Sequence, residues 1–133
     1  MHETRSLSLF VMIGLVAIGG IGGTVSRYLL GVISGEAYLM TVLVNISGCF
    51  CLGLILFSTS TTHVIDRRIQ ALLATGFFSS FTTYSTFIAD IFFLTPMLAV
   101  LYIAISYLGG IAAIIVSRRV AFLLRGEVSG EAY

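Results

Sequence analysis

The chain has 133 residues, 58% of them hydrophobic and only 10% charged, and a formal net charge of +1. Soluble domains carry about a quarter charged residues, so the composition excludes an ordinary water-soluble fold. A near-zero net charge with no polybasic run gives no reason to expect nucleic acid.

The charges divide the chain. Arg5 and Arg27 bound an uncharged stretch of 21 residues, Glu36 and Asp66 one of 29, Arg68 and Asp90 one of 21, and Asp90 and Arg118 one of 27. A helix needs about 20 mostly apolar residues to cross a bilayer. The chain therefore reads as a single all-α membrane domain over 1–133, with four transmembrane helices at roughly 7–31, 39–60, 69–94 and 97–117.

The first span is about twice as long as a signal-peptide apolar region and is read as a helix. Gly19 and Gly23 make a G-x-x-x-G in it, flanked by Gly20 and Gly22, a spacing that lets helix backbones approach closely. No strand precedes these glycines, which argues against a dinucleotide fingerprint. Arg27 lies in the last turns.

In the second span, Thr41 and Asn45 are four apart on one face, where both need a hydrogen-bond partner. Cys49 and Cys51 fall on nearly opposite faces, so they share neither a disulfide nor a metal and read as apolar filler. His63 beside Asp66 and Arg67 reads as a solvated loop residue.

The third span holds the most informative segment. Residues 75–86 read T-G-F-F-S-S-F-T-T-Y-S-T, with seven Ser and Thr hydroxyls in mid-membrane. Non-helical backbone at that depth is tolerated only against protein or a water-filled cavity. We expect a broken helix, whose ends offer carbonyls to a cation or amides to an anion, the alternative being a continuous helix whose hydroxyls bond back to the i−4 carbonyls. Tyr84 and Phe87 share a face just after it. In the fourth span Tyr102 and Ser106, four apart, put two hydroxyls on one stripe.

Six of the seven basic residues, Arg5, Arg67, Arg68, Arg118, Arg119 and Arg125, fall on one side of this topology and only Arg27 towards the other. The positive-inside rule then places both termini in the cytoplasm of a multi-pass cell-membrane protein. Taken together, the amide, hydroxyls and aromatic edges describe a pathway with no fixed charge along its middle. Asn amides and hydroxyls donate hydrogen bonds and ring edges are positive, so such a lining suits a small anion that must bind weakly enough to leave.

Three motifs resemble those of the Fluc (CrcB) fluoride channels. The run G-G-I-G-G-T-V-S-R-Y over 19–28 is similar to that family's glycine-rich stretch ending in Arg and an aromatic. T-V-L-V-N over 41–45 is similar to its T-L-x-V-N, and T-G-F-F-S-S-F-T-T-Y-S-T-F over 75–87 resembles its T-G-x-x-G-G-x-T-T-F-S-T-F. The resemblance implies passive export of toxic cytoplasmic fluoride by an antiparallel dimer. It makes Asn45 the pore amide, Tyr84 and Phe87 the aromatic box, and Arg27 a vestibule cation. Thr41, Tyr102 and Ser106 complete the pore lining. It further implies a structural Na+ at the dimer interface, held by backbone carbonyls at Ser79 and Thr82.

The family's paired glycines are Ser79 and Ser80 here, its first box phenylalanine is Tyr84, and its later polar positions on the fourth span are Gly110 and Ile114. The dimer is either a homodimer or a heterodimer with an inversely oriented homologous subunit, and the one-sided basic residues favour fixed insertion and the heterodimer. A small multidrug-exporter-like antiporter is disfavoured, because no carboxylate lies between Ser6 and Ser26. A non-transporting structural subunit leaves the polar break without a purpose. No Ser/His, Cys/His or paired-carboxylate set falls within the spans, so no enzymatic activity is expected.

Overall fold

The structure is a computed structural model that describes the backbone of residues 2–34, 37–62 and 66–130, and the side chains of 9–34, 38–58 and 66–124. The side chains of Arg5, Glu36, His63 and Arg125, used in the charge reading, lie outside the described residues.

All regular structure among the described residues is helical. Helix α1 spans His2–Ser34 and α2 spans Ala37–Thr62. Next, α3 covers 67–81 in three joined pieces: Arg67–Gln70, a wider π-helical stretch Ala71–Phe78, and Ser79–Phe81. Helix α4 spans Tyr84–Phe93, and α5 runs from Pro96 to Gly130. Three helices contain continuous membrane-crossing stretches, Leu9–Ser34, Tyr38–Ser58 and Pro96–Leu124. The third span is α3 followed by α4. The chain is thus an all-α membrane protein with a broken third helix. At 1.5 Å per residue, α5 is about 50 Å long, well beyond the roughly 30 Å hydrocarbon core. Its basic pair Arg118–Arg119 lies near one end of the crossing stretch.

Local chemistry sets the helix boundaries. Asp66 caps α3, its carboxylate accepting from the Arg68 N–H at 3.2 Å, and carboxylates favour this electropositive end. Helix α5 opens with Pro96, whose fixed φ and missing N–H suit the first helical position, and the Thr95 carbonyl accepts from the Ala99 N–H at 2.8 Å.

Two packing layers position the rest. In the first, α1 lies against the π-helical stretch of α3. A Cβ on Gly19 would collide with the Leu72 carbonyl, one on Gly23 with the Phe77 carbonyl, and one on Gly76 would come within 2.7 Å of the Val16 carbonyl. The expected close backbone approach is therefore between α1 and α3. In the second layer α2 packs along α5. The buried positions of α5, Ala99, Tyr102, Ala113, Ser117 and Ala121, follow helical spacing and are mostly small. Ser117 is wholly buried and donates to the Ile114 carbonyl at 2.8 Å, against the face of α2 that carries Gly53. The outward faces remain apolar, with Phe10, Ile18, Ile21, Val100 and Leu108 all exposed, as lipid contact requires.

Candidate pore and ion site

Between α3 and α4 the chain leaves helical geometry at two residues, Thr82 (φ −71°, ψ 155°) and Thr83 (φ −146°, ψ 125°). Neither is Gly or Pro. The extended pair is stabilised because its polar groups find partners elsewhere. The Asn45 amide oxygen accepts from the Thr83 N–H at 2.8 Å, and its amide nitrogen donates to the Thr83 carbonyl at 3.0 Å. Asn45 thus acts like a strand neighbour for one residue, and its second amide N–H is left over for another acceptor. The Thr83 hydroxyl then caps α4, accepting from the Thr86 N–H at 3.2 Å and donating to the Thr86 hydroxyl at 3.0 Å.

These bonds have a consequence for the carbonyls. In a continuous helix the Thr83 N–H would pair with the Ser79 carbonyl and the Thr86 N–H with the Thr82 carbonyl. Both donors are diverted to side-chain oxygens. The Ser79 carbonyl keeps only a long bond from the Thr82 hydroxyl at 3.4 Å. Carbonyl oxygens released from helical bonding are suitable donors for a hard cation such as Na+, so the backbone at Ser79 and Thr82 fits one. Serine at 79 and 80 is no obstacle, since Ser79 has ordinary right-handed helical angles (φ −63°, ψ −33°).

Most of the polar residues singled out in the sequence gather in two hollows that share Thr83 of the clamp. The larger, about 390 Å³, is lined by Asn45, Thr82, Thr83, Tyr84, Phe87 and Ser106, together with Cys49, Tyr107 and Gly110. The smaller, about 280 Å³, holds Arg27 and Thr41 with Thr83 and Thr86. Ser79 is exposed and lines neither, and Tyr102, expected in the pore lining, is buried and lines neither.

Tyr102 is buried between helices and connects groups from three of them. Its hydroxyl donates to Asp90 at 2.9 Å and lies beside the Thr41 side chain. Its ring stacks on Phe87 with centroids 5.1 Å apart. Phe87 is buried and also meets Tyr107 edge-on at 6.0 Å. Tyr84 lies 5.9 Å from Phe87 but points outward and is 69% exposed. Within this one chain the two rings meet without enclosing a box. Among the described residues, the Arg27 Nε and the Ser34 and Ser106 hydroxyl oxygens are buried without a hydrogen-bond partner; Arg27 and Ser106 are lining residues of the hollows.

Two contributors escaped sequence reading. Thr83 is one hydroxyl among seven in its segment, and only the clamp distinguishes it. Cys49, read as filler, lies on the larger hollow because it follows Asn45 by one helical turn.

Fold and site define a small multi-pass membrane protein in which a broken helix, pinned by a neighbouring amide, borders two hollows. The chain belongs to the CrcB family, since the family model described as "CrcB-like protein, Camphor Resistance (CrcB)" matches residues 14–118. Among its relatives is a protein of Natronomonas pharaonis named fluoride-specific ion channel FluC 1, 38% identical over 109 residues, covering 81% of this chain and 92% of that one. Another of the same name from Haloarcula marismortui is 36% identical over 126 residues, covering 95% and 98%. A third, from Halobacterium salinarum, is named fluoride-specific ion channel FluC 2 and is 36% identical over 115 residues, covering 85% and 88%.

Proposed function

We propose that this protein is a subunit of a fluoride-selective channel that lets cytoplasmic fluoride leave passively and so limits its toxicity. The observation that carries the reading is the Asn45–Thr83 clamp. It holds open a helix break whose electropositive α4 end and spare amide N–H border one hollow. These are neutral donors suited to a small anion that must be released again. Arg27, in the adjoining hollow, supplies positive potential at the entrance.

The functional unit in this reading is an antiparallel dimer. Thr75, Ser79, Tyr84 and Ser85 are exposed along the broken segment, and polar, non-helical backbone does not face lipid. A second subunit covers it, and its aromatic rings complete the box that Tyr84 and Phe87 leave open. The carbonyls of Ser79 and Thr82 would hold a Na+ ion there, contributing positive charge and cross-linking at the interface. Basic residues on one side favour termini in the cytoplasm. The names FluC 1 and FluC 2 among the relatives are consistent with paired subunits, so the partner is either a second copy or an inverted homologue.

The test is fluoride efflux from liposomes, read with a fluoride electrode against chloride, for the protein alone and with an inverted homologue. Fluoride-selective efflux in either arrangement is the expected result. Its absence in both, from well-folded protein, rejects the reading.

A further inference from the structure

Helix α5 carries a groove that belongs to neither hollow of the proposed ion path. It measures about 590 Å³ and is lined by Ile115, Arg118, Arg119, Phe122 and Leu123, none of which borders the other two hollows. All five are exposed. Ile115 and Phe122, nearly two turns apart, share a line along the helix, while consecutive residues stand about 100° apart around it. Arg118 and Arg119 therefore flank an apolar strip, on the side of α5 turned away from buried Ala113, Ser117 and Ala121.

The length of α5 sets the level of this groove in the membrane. The crossing stretch Pro96–Leu124 has 29 residues, about 43 Å at 1.5 Å each, which matches a bilayer with both headgroup layers, about 40–45 Å. Arg118 and Arg119 come about 8 Å before its end and so stand in the headgroup layer. Ile115 lies on their acyl-chain side, and Phe122 and Leu123 lie on the other.

The pair needs an anion. The carboxylates whose side chains are described are Asp66, which caps α3, and Asp90, which accepts from Tyr102, and neither lines the groove. Arginines that snorkel from a helix end can be solvated by water alone, but water gains nothing from the apolar strip between them. Guanidinium forks pair bidentately with phosphate oxygens, and Ile115 matches hydrocarbon. A lipid phosphate supplies both in one molecule, and a zwitterionic headgroup would bring a cation back to the arginines.

We infer that Arg118 and Arg119 form a binding site for an anionic glycerophospholipid of the leaflet on their side, its phosphate between the two guanidiniums and an acyl chain on Ile115. Arg67 and Arg68 lie on that same side, because the third span leaves from it and the fourth returns to it. They line none of the hollows and so serve as a control for charge alone.

The experiment titrates the full chain in neutral detergent with phosphatidylglycerol or phosphatidylcholine and counts bound lipids by native mass spectrometry. The unmodified chain is expected to hold one phosphatidylglycerol about thirtyfold more tightly than phosphatidylcholine, the equivalent of about 1 kcal/mol for each arginine. Arg118→Gln combined with Arg119→Gln removes that preference, and Arg67→Gln combined with Arg68→Gln keeps it. Glycerol 3-phosphate, which lacks the chains, does not displace the lipid. Thermal midpoints without added lipid, expected to agree across the variants, separate a lost site from a lost fold. Retention of the preference without Arg118 and Arg119 overturns the inference, as does its equal loss without Arg67 and Arg68, which would assign it to a diffuse field. Displacement by glycerol 3-phosphate overturns it too, and so does a changed oligomeric state in the first double variant, which would give the groove to a second subunit. Each of these readings is independent of fluoride efflux.

Discussion

Asn45 and Thr83, 38 positions apart, exchange two hydrogen bonds of 2.8 and 3.0 Å, so that one side chain on α2 replaces the backbone ladder for a residue that has left its helix. The break is then a stable feature of the third span. A buried backbone N–H and C=O without partners would otherwise close it back into helix.

Substituting Asn45 with Leu removes both bonds. The expected outcome is a loss of about 1–3 kcal/mol, the penalty for a buried unsatisfied backbone group, together with loss of fluoride efflux. Asn45→Asp retains the acceptor for the Thr83 N–H but loses the donor, so efflux is expected to fall further than thermal stability. Liposome efflux and thermal unfolding in detergent, measured side by side, check the difference.

Thr83→Ala removes the cap of α4 and is expected to cost about 1 kcal/mol, while Thr83→Ser restores it. The Asn45 clamp uses only the backbone of residue 83 and survives both changes. Equal thermal midpoints for Thr83→Ala and the unmodified protein would contradict the capping assignment.

Glycine positions separate by what surrounds them. Alanine at Gly19 or Gly76 drives a methyl into the backbone of the facing helix, and overpacking of this kind costs about 1–3 kcal/mol or more. Alanine at Gly14 or Gly31 meets nothing within 4 Å and is expected to be neutral or to add helical stability. Yield of monodisperse protein by size-exclusion chromatography reads the contrast directly.

Tyr102→Phe keeps the ring stacked on Phe87 but deprives Asp90 of its hydroxyl donor. Interhelical hydrogen bonds in membranes average about 0.6 kcal/mol, so the fold is expected to persist with a lowered midpoint and slower efflux. Phe87→Ile removes the ring against which both Tyr102 and Tyr107 pack. It is expected to abolish efflux, which the same electrode assay would detect.

If the proposed dimer holds Na+, replacing sodium with a large organic cation is expected to lower the protein's thermal midpoint. Because the proposed ligands are carbonyls, Ser79→Ala should show the same sodium dependence as the unmodified chain. A dependence that disappears in Ser79→Ala would assign the ion to the hydroxyl instead.

Much of this architecture is legible in the order of residues. Span lengths follow from the uncharged intervals, because bilayer thickness leaves little choice. The broken third helix follows from seven hydroxyls in twelve positions, because hydrocarbon does not solvate them. Legible as well were the individual polar positions, Thr41, Asn45, Tyr102 and Ser106, since each is costly at membrane depth without a partner.

The partners themselves were not legible. That Asn45 binds the backbone of Thr83, that Tyr102 reaches Asp90, that Phe87 is buried while Tyr84 faces outward, and that Cys49 lies beside Gly110 all depend on how helices distant in sequence are rotated against one another. Periodicity fixes which residues share a face within one helix. It carries no information about which face of another helix will meet it. By itself the sequence determined that this is a four-span membrane protein interrupted by a polar break, because burial in lipid is a property each segment has alone. Only the tertiary structure decided which donors remain free to meet an ion, because a hydrogen bond between two helices belongs to neither of them.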